Sequence, residues 1–125
     1  MKILFIGSDR EIVYMTGKIL KRKYNVSVAV GHSEAVSMLS CNSYSLVVFD
    51  CDMSVSERNS IINQVKQSPD PAQLLLISEN REDEIILLEA GADDWVQKPY
   101  QMKVLLARME ALLRQKKQTK SESNG

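Results

Sequence analysis

Neither sign of charge is in excess. Sixteen Lys and Arg balance sixteen Asp and Glu over 125 residues. A neutral chain lacks the basic field of a protein whose main task is electrostatic DNA binding. Cysteine is scarce. Cys41 and Cys51 form neither C-x-x-C nor a zinc-type spacing. The N-terminus (MKILFIGSDR) has no long apolar core and no small-residue cleavage site, so it does not read as a secretory signal. The expected compartment is therefore the cytoplasm, with both cysteines as free thiols. No apolar run approaches the roughly 20 residues of a membrane helix. Histidine occurs once, at His32, which leaves no His-based metal pattern. No Gly-rich phosphate loop is present either.

What is there is an alternation. Short apolar runs (Ile3–Ile6, Val26–Val30, Leu46–Phe49, Leu74–Ile77 and the pair Trp95-Val96) are separated by amphipathic stretches. Runs of four without alternation suit strands buried on both faces, as in a parallel sheet. The intervening stretches (Glu11–Lys23, Ser33–Ser40, Glu57–Gln67, Glu82–Ala90 and Gln101–Lys117) carry apolar residues at helical spacing. Ser8 with Glu11, and Ser54 with Glu57, have capping-box spacing. Gly91 is placed to end the fourth helix. Ser68-Pro69-Asp70-Pro71 is a loop signal. The pattern predicts one (βα)5 domain, a doubly wound parallel α/β sheet, over residues 1–117. Residues 118–125 are polar and basic and are expected to form a linker or tail. Charge divides the same way: residues 114–125 carry four bases and one acid, the rest twelve bases and fifteen acids.

In open α/β sheets, ligands bind beyond the carboxyl ends of the strands. Those ends are Gly7-Ser8-Asp9, Asp50-Cys51-Asp52, Ser78-Glu79 and Lys98-Pro99. A carboxylate directly after Leu46-Val47-Val48-Phe49 sits at a buried strand end and needs a partner. Lys98 is the natural one, and Pro99 makes it extended and open to a cis bond. Plainer roles exist for each residue. Asp50 and Lys98 could be an ordinary ion pair, Ser8 only a helix cap, Trp95 static packing, Cys51 a small buried apolar group rather than a redox sensor, and His32 an exposed ring.

The strand end Leu46–Asp50, Ser78, and the run Ala90-Gly91-Ala92-Asp93-Asp94-Trp95-Val96-Gln97-Lys98-Pro99-Tyr100 resemble the receiver domains of bacterial two-component response regulators, the CheY-like flavodoxin-like fold. With Leu105-Leu106-Ala107-Arg108 and Leu112-Leu113-Arg114, the chain is most similar to receivers attached to a winged-helix DNA-binding domain. The resemblance implies strand order 2-1-3-4-5 and no enzymatic role. It implies Asp50 as the position phosphorylated by a histidine kinase, Ser78 and Lys98 as phosphoryl contacts, and Trp95 as the switch aromatic, where Tyr or Phe is usual. It also implies Mg²⁺ held by Asp50, the Asp52 carbonyl and an acid pair at positions 7 and 8.

Gly7 and Ser8 stand where that acid pair belongs. Mg²⁺ is a hard cation bound through carboxylates, so its binding is expected to be weak or absent, with Asp9 and Asp52 as weak substitutes. Ser54 replaces the usual Pro, Glu57-Arg58 the usual Asp-Gly, and Glu79 a small residue beside Ser78. The expectation is an atypical receiver that signals largely without phosphorylation, with the resting domain biased toward an active-like state: Trp95 inward and Ser78 near Asp50. The alternatives are a conventional receiver using Asp9 or Asp52 for the metal, a protein-binding adaptor, and a small flavodoxin-like enzyme. The resemblance further implies a homodimer through helix 4, strand 5 and helix 5. Asp94 and Arg108 match one acid–base pair of that face, and Asp93 matches an acid whose basic partner is replaced by Glu110. Glu84 and Val104 stand where a third pair is lost, with Ile85, Leu88 and Leu105 as its apolar part. DNA contact is expected only through an output domain outside this chain.

Overall fold

The computed structural model describes the backbone of residues 1–124 and side chains through Lys117. Five strands, β1 (Lys2–Gly7), β2 (Asn25–Val30), β3 (Leu46–Asp50), β4 (Gln73–Ser78) and β5 (Asp94–Gln97), alternate with five helices. The helices are α1 (Arg10–Leu20), α2 (Gly31–Cys41), α3 (Val55–Lys66), α4 (Asp83–Glu89) and α5 (Met102–Asn124). The sheet is parallel throughout, in the order β2-β1-β3-β4-β5. This is the doubly wound (βα)5 arrangement that the alternation predicts.

The solid apolar runs work because successive side chains on a strand point to opposite faces. Ile3 and Phe5 join Leu46, Val48, Leu75 and Ile77 in a core closed by α1 and α5. Leu4 and Ile6 join Val47, Phe49, Leu74 and Leu76 in a second core closed by α2, α3 and α4. Each fully buried Ile, Leu or Phe contributes about 1.5–3 kcal/mol. Two such layers hold the sheet with both cysteines unpaired. The strand ends at Gly7, Asp50 and Ser78 are thereby fixed side by side along one crevice.

The helix ends correct some expectations. Ser8 does not cap α1. The N-cap is Asp9, whose carboxylate accepts from the Ile12 N–H at 3.2 Å. The Ser8 hydroxyl donates instead to the Asp52 backbone carbonyl. The Ser54–Glu57 capping box forms in both directions and starts α3. Helix α1 ends at Leu20 rather than Lys23, and α2 begins two residues early at Gly31, which takes φ +87°. Gly91 follows α4 with φ +122°, a region only glycine enters easily, and the Lys66 stem lies against its Cα face. Helix α5 continues as helical backbone to Asn124 across the stretch expected as a tail. Gly125 and the side chains beyond Lys117 lie outside the described residues. Leu105, expected on the dimer face, is fully buried in the α1–α5 core, because it falls on the inner stripe of α5 with Met109 and Leu112.

Candidate functional site

Asp50 ends β3 at the crevice and is 6% exposed. Lys98 reaches it from the loop after β5, its Nζ donating to Asp50 Oδ2 at 2.8 Å. The backbone makes this reach possible. The Lys98 N–H donates to the Ser78 carbonyl at 2.9 Å, which carries the β4–β5 pairing one residue past the strand, and the Lys98–Pro99 bond is cis. Asp50 Oδ1 is buried and has no hydrogen-bond partner.

Two ionisation shifts follow from this placement. Burial pushes the Asp50 carboxyl above its ordinary value, the Lys98 hydrogen bond and charge oppose the rise without cancelling it, and the charges of Asp52 and Glu79 add to it. Burial disfavours the Lys98 ammonium, but Asp50, Asp52 and Glu79 together outweigh that and hold it above its ordinary value. The two directions have different main causes, burial for Asp50 and the neighbouring acids for Lys98, with Asp52 and Glu79 adding to both. Asp50, Asp52, Glu79, Asp83 and Lys98 line one cavity of about 120 Å³ with Ser78. Four acids facing one base make it a poor seat for an anion. Glu79 therefore faces the site, the arrangement in which it opposes a phosphoryl group.

Ser78, at the end of β4, is 6% exposed. Its hydroxyl accepts from the Trp95 indole Nε1–H at 2.8 Å and lies 3.5 Å from the Asn80 carbonyl. Trp95 is half-buried against the α2–α4 core. So Trp95 is inward, as expected of an active-like state, while the Ser78 hydroxyl is on the indole and not on Asp50.

The β1 side of Asp50 differs. Gly7 supplies no side chain, and a Cβ there would meet Val13 Cγ2 at 2.7 Å and Asp50 Cβ at 3.6 Å. Ser8 is tied to the Asp52 carbonyl, the group implied as a metal ligand, and Asp9 is tied to its own helix. Asp9 serves as the cap of α1, and Asp52 lines the cavity. Among the described residues, no three His, Cys, Asp or Glu side chains come together so as to hold an ion. The free Oδ1 of Asp50 suits a cation, but the donor set around it does not fit Mg²⁺ held by the implied ligands.

Sequence reasoning missed the Ser8–Asp52 tie and the Val13 methyl under Gly7. The first spans 44 residues of chain, and the second depends on how α1 packs on β1, so no local pattern signals either. Burial pushes the Cys51 thiol, beside Asp50, up to about 12, and the opposing charge of Arg58 does not offset this, which disfavours the reactive thiolate. It packs against the α2–α4 core as a small apolar residue. His32 is half-buried, its Nε2 3.0 Å from Ser60 Oγ.

On the α4–β5–α5 face, Arg108 pairs with Asp94 within the chain at 3.2 Å. Asp93 is bonded within the chain: its Oδ2 accepts from the Leu74 N–H at 2.8 Å and pairs with Lys66 at 3.4 Å. Glu110 pairs with Lys23 at 3.6 Å. Ile85, Ile86 and Leu88 are exposed at 67%, 55% and 41%, with Val104 at 39%. Glu84, Asp94, Trp95, Val104 and Arg108 line a groove of about 390 Å³ beside them.

A five-stranded parallel sheet with an Asp at the end of β3, a Ser at the end of β4 and a cis-proline lysine after β5 defines a class: flavodoxin-like signalling domains built around one carboxylate. Residues 3–110 match the response regulator receiver domain, and the chain belongs to that family. It is 29% identical over 125 residues to the transcriptional regulatory protein CpxR of Escherichia coli (strain K12), covering 98% of this chain and 53% of CpxR. It is 30% identical over 120 residues to the response regulator MprA of Mycobacterium avium, covering 94% of this chain and 53% of MprA. The chain thus spans about half the length of the curated relatives it matches. A solved CheY-like receiver domain protein from Methanospirillum hungatei superposes with TM-score 0.83 at 23% identity, over 94% of this chain and 97% of that one. No helix among the described residues is long and apolar enough to cross a membrane.

Proposed function

We propose that this receiver regulates transcription through an attached winged-helix DNA-binding domain, by dimerisation, and largely without Mg²⁺-dependent phosphorylation. One observation carries the reading. Three groups that would contact a phosphoryl–metal complex already have partners from within the chain: Asp50 Oδ2 has Lys98, the Asp52 carbonyl has Ser8, and the Ser78 hydroxyl has Trp95. A phosphoryl transfer needs its charge neutralised by a metal. Here the metal side offers a glycine and a serine, and the cavity carries a surplus of acid. Weak or absent Mg²⁺ binding belongs to the same reading. Lys98 supplies the cation beside Asp50, and the inward Trp95 gives the output face one fixed shape.

The attached output domain is supported by relatives named as transcriptional regulators, each about twice the length of this chain. The homodimer is supported by the exposed Ile85, Ile86 and Leu88 of α4 next to Val104 of α5. The Arg108–Asp94 pair is then free to exchange between protomers and to set register more than affinity. Family membership supports a cytoplasmic location and a histidine kinase as upstream partner. The test is intact mass after incubation with acetyl phosphate and Mg²⁺, with light scattering alongside. The expected result is no phosphoryl gain and a dimer at micromolar concentration. A gain that disappears in Asp50→Asn would overturn the phosphorylation-free reading, and a strict monomer would overturn the dimer.

A further inference from the structure

The zero net charge conceals two exposed faces of opposite sign. From Arg10 to Lys23, α1 and its end carry five bases and one acid. From Glu79 to Asp94, the segment that holds α4 carries seven acids and one base. Each face also exposes apolar side chains at helical spacing. On α1 these are Ile12, Met15 and Ile19, at 44%, 66% and 38% exposure. Residues three and four apart share one side of a helix, so the three form a stripe, and Lys18 and Arg22 fall beside Met15. On α4, Ile85 and Ile86 are exposed between Glu82 and Glu89, which lie on the same side of the helix. Among the described residues, Lys18, Lys21 and Arg22 make no ion pair within the chain, and neither do Glu82, Glu84 and Glu89.

A chain cannot bring its own two faces together. Helix α1 packs on the sheet face that it shares with α5, and α4 packs on the opposite face. A second copy can supply the missing half. We propose that α1 is a docking face for α4 of a second copy of this chain. In this head-to-tail contact, Ile12, Met15 and Ile19 meet Ile85 and Ile86, and the flanking bases meet the flanking acids. Charge decides the occupant. A pair closed by α4 on α4 sets Glu82 and Glu89 against the same acids of the other copy. A pair closed by α1 on α1 does the same with bases. Only the mixed contact joins opposite signs. It is heterologous, so it leaves one α1 face and one α4 face open and propagates instead of closing. The closed α4 dimer uses the same α4 face, so α1 competes with it. Two short helices bury less than a standard interface, which makes the contact weak and dependent on concentration. The inference does not rest on the phosphorylation-free reading.

Two substitutions at exposed positions separate the faces. Ile85→Lys blocks α4 and leaves α1 intact. Met15→Glu blocks α1 and leaves α4 intact. The ¹⁵N-labelled Ile85→Lys chain is titrated with unlabelled Met15→Glu chain and followed by its amide NMR shifts. The spectrum of each free variant checks that it is folded. The expected result is saturable shifts confined to α1. They are expected to weaken severalfold at about 0.5 M salt, where exposed charges are screened within a few Å. They are also expected to vanish when the unlabelled chain carries both substitutions. A closed α4 dimer cannot give this signal, since the labelled chain has no α4 face to close. Absence of shifts overturns the proposal, and so do shifts that fall outside α1. Shifts of α1 with phosphatidylglycerol vesicles, and none with the second chain, overturn it in favour of an anionic membrane surface.

Discussion

The two sides of Asp50 have diverged. On the β4–β5 side, Ser78, Trp95 and Lys98 stand at the positions implied for switching, and two separate hydrogen bonds hold them, indole to hydroxyl and ammonium to carboxylate. On the β1 side, where a receiver holds its metal, there is a glycine packed under a Val13 methyl, a serine tied across to the β3–α3 loop, and an aspartate capping α1. One side is held by hydrogen bonds between side chains, and the other offers no carboxylate at positions 7 and 8. The difference teaches that switching and metal loading make different physical demands. Switching needs hydrogen-bond donors that select between arrangements. Loading needs a cluster of carboxylates, which is stable only with a cation to balance it.

The largest test of this contrast is Lys98→Met, which leaves Asp50 buried without its partner. Removing one member of a buried pair costs several kcal/mol. The partial exposure of Lys98 moderates this to about 2–3 kcal/mol, read by urea denaturation at pH 7. The sign with pH is fixed by Asp50. Its folded-state carboxyl titrates above the unfolded value, so the folded state binds the extra proton, and stability falls as pH rises from the ordinary carboxylate range through the raised value. The variant is expected to regain stability on acidification more steeply than the parent protein. A stability difference that does not shrink on acidification toward the ordinary carboxylate range would sink this account of the pair.

Gly7→Asp tests the other side and is expected to be smaller. Its Cβ meets a Val13 methyl at 2.7 Å and brings a second carboxylate toward Asp50. Overpacking of this kind costs about 1–3 kcal/mol. Val13→Ala in the same chain is expected to recover part of the loss, because it removes the obstructing methyl. Additive losses in a double-mutant cycle would break the claim that packing has closed over the missing acid.

Ser8→Ala is expected to be the mildest change. It deletes one exposed hydrogen bond to the Asp52 carbonyl, worth about 0.5–1 kcal/mol, and is followed by the thermal midpoint. Ser8→Asp sharpens the comparison, since it returns one carboxylate to the β1 side without the Val13 clash. A midpoint that rises with added Mg²⁺ in Ser8→Asp but not in the parent would place the loss of loading at this position.

Much of this molecule was legible in the linear sequence. Buried parallel strands must be apolar on both faces, so Ile3–Ile6, Leu46–Phe49 and Leu74–Ile77 announce themselves and locate Asp50 and Ser78 at their carboxyl ends. The Lys98–Asp50 pair was legible because a buried carboxylate must find a cation. The helix starts were harder. Ser8 and Ser54 carry the same spacing to a glutamate, yet only Ser54 closes its capping box, because Ser8 has a stronger claim from a carbonyl 44 residues away. Leu105 was misassigned to the outer face for a related reason: the apolar stripe of α5 draws it inward. Asp93 stays at the surface while pairing with the Leu74 amide and Lys66.

What the sequence determined by itself is the fold and the absence of an acid pair at Gly7 and Ser8. Both depend on residue type and order alone. Only the tertiary structure decided what filled that absence: Val13 under Gly7, Ser8 on Asp52, the indole of Trp95 on Ser78, and one carboxylate oxygen of Asp50 left without a donor. Apart from the packing of Val13 under Gly7, the contacts join segments 17 or more residues apart in the chain. The strength of a hydrogen bond or a clash depends on distances that no local pattern encodes.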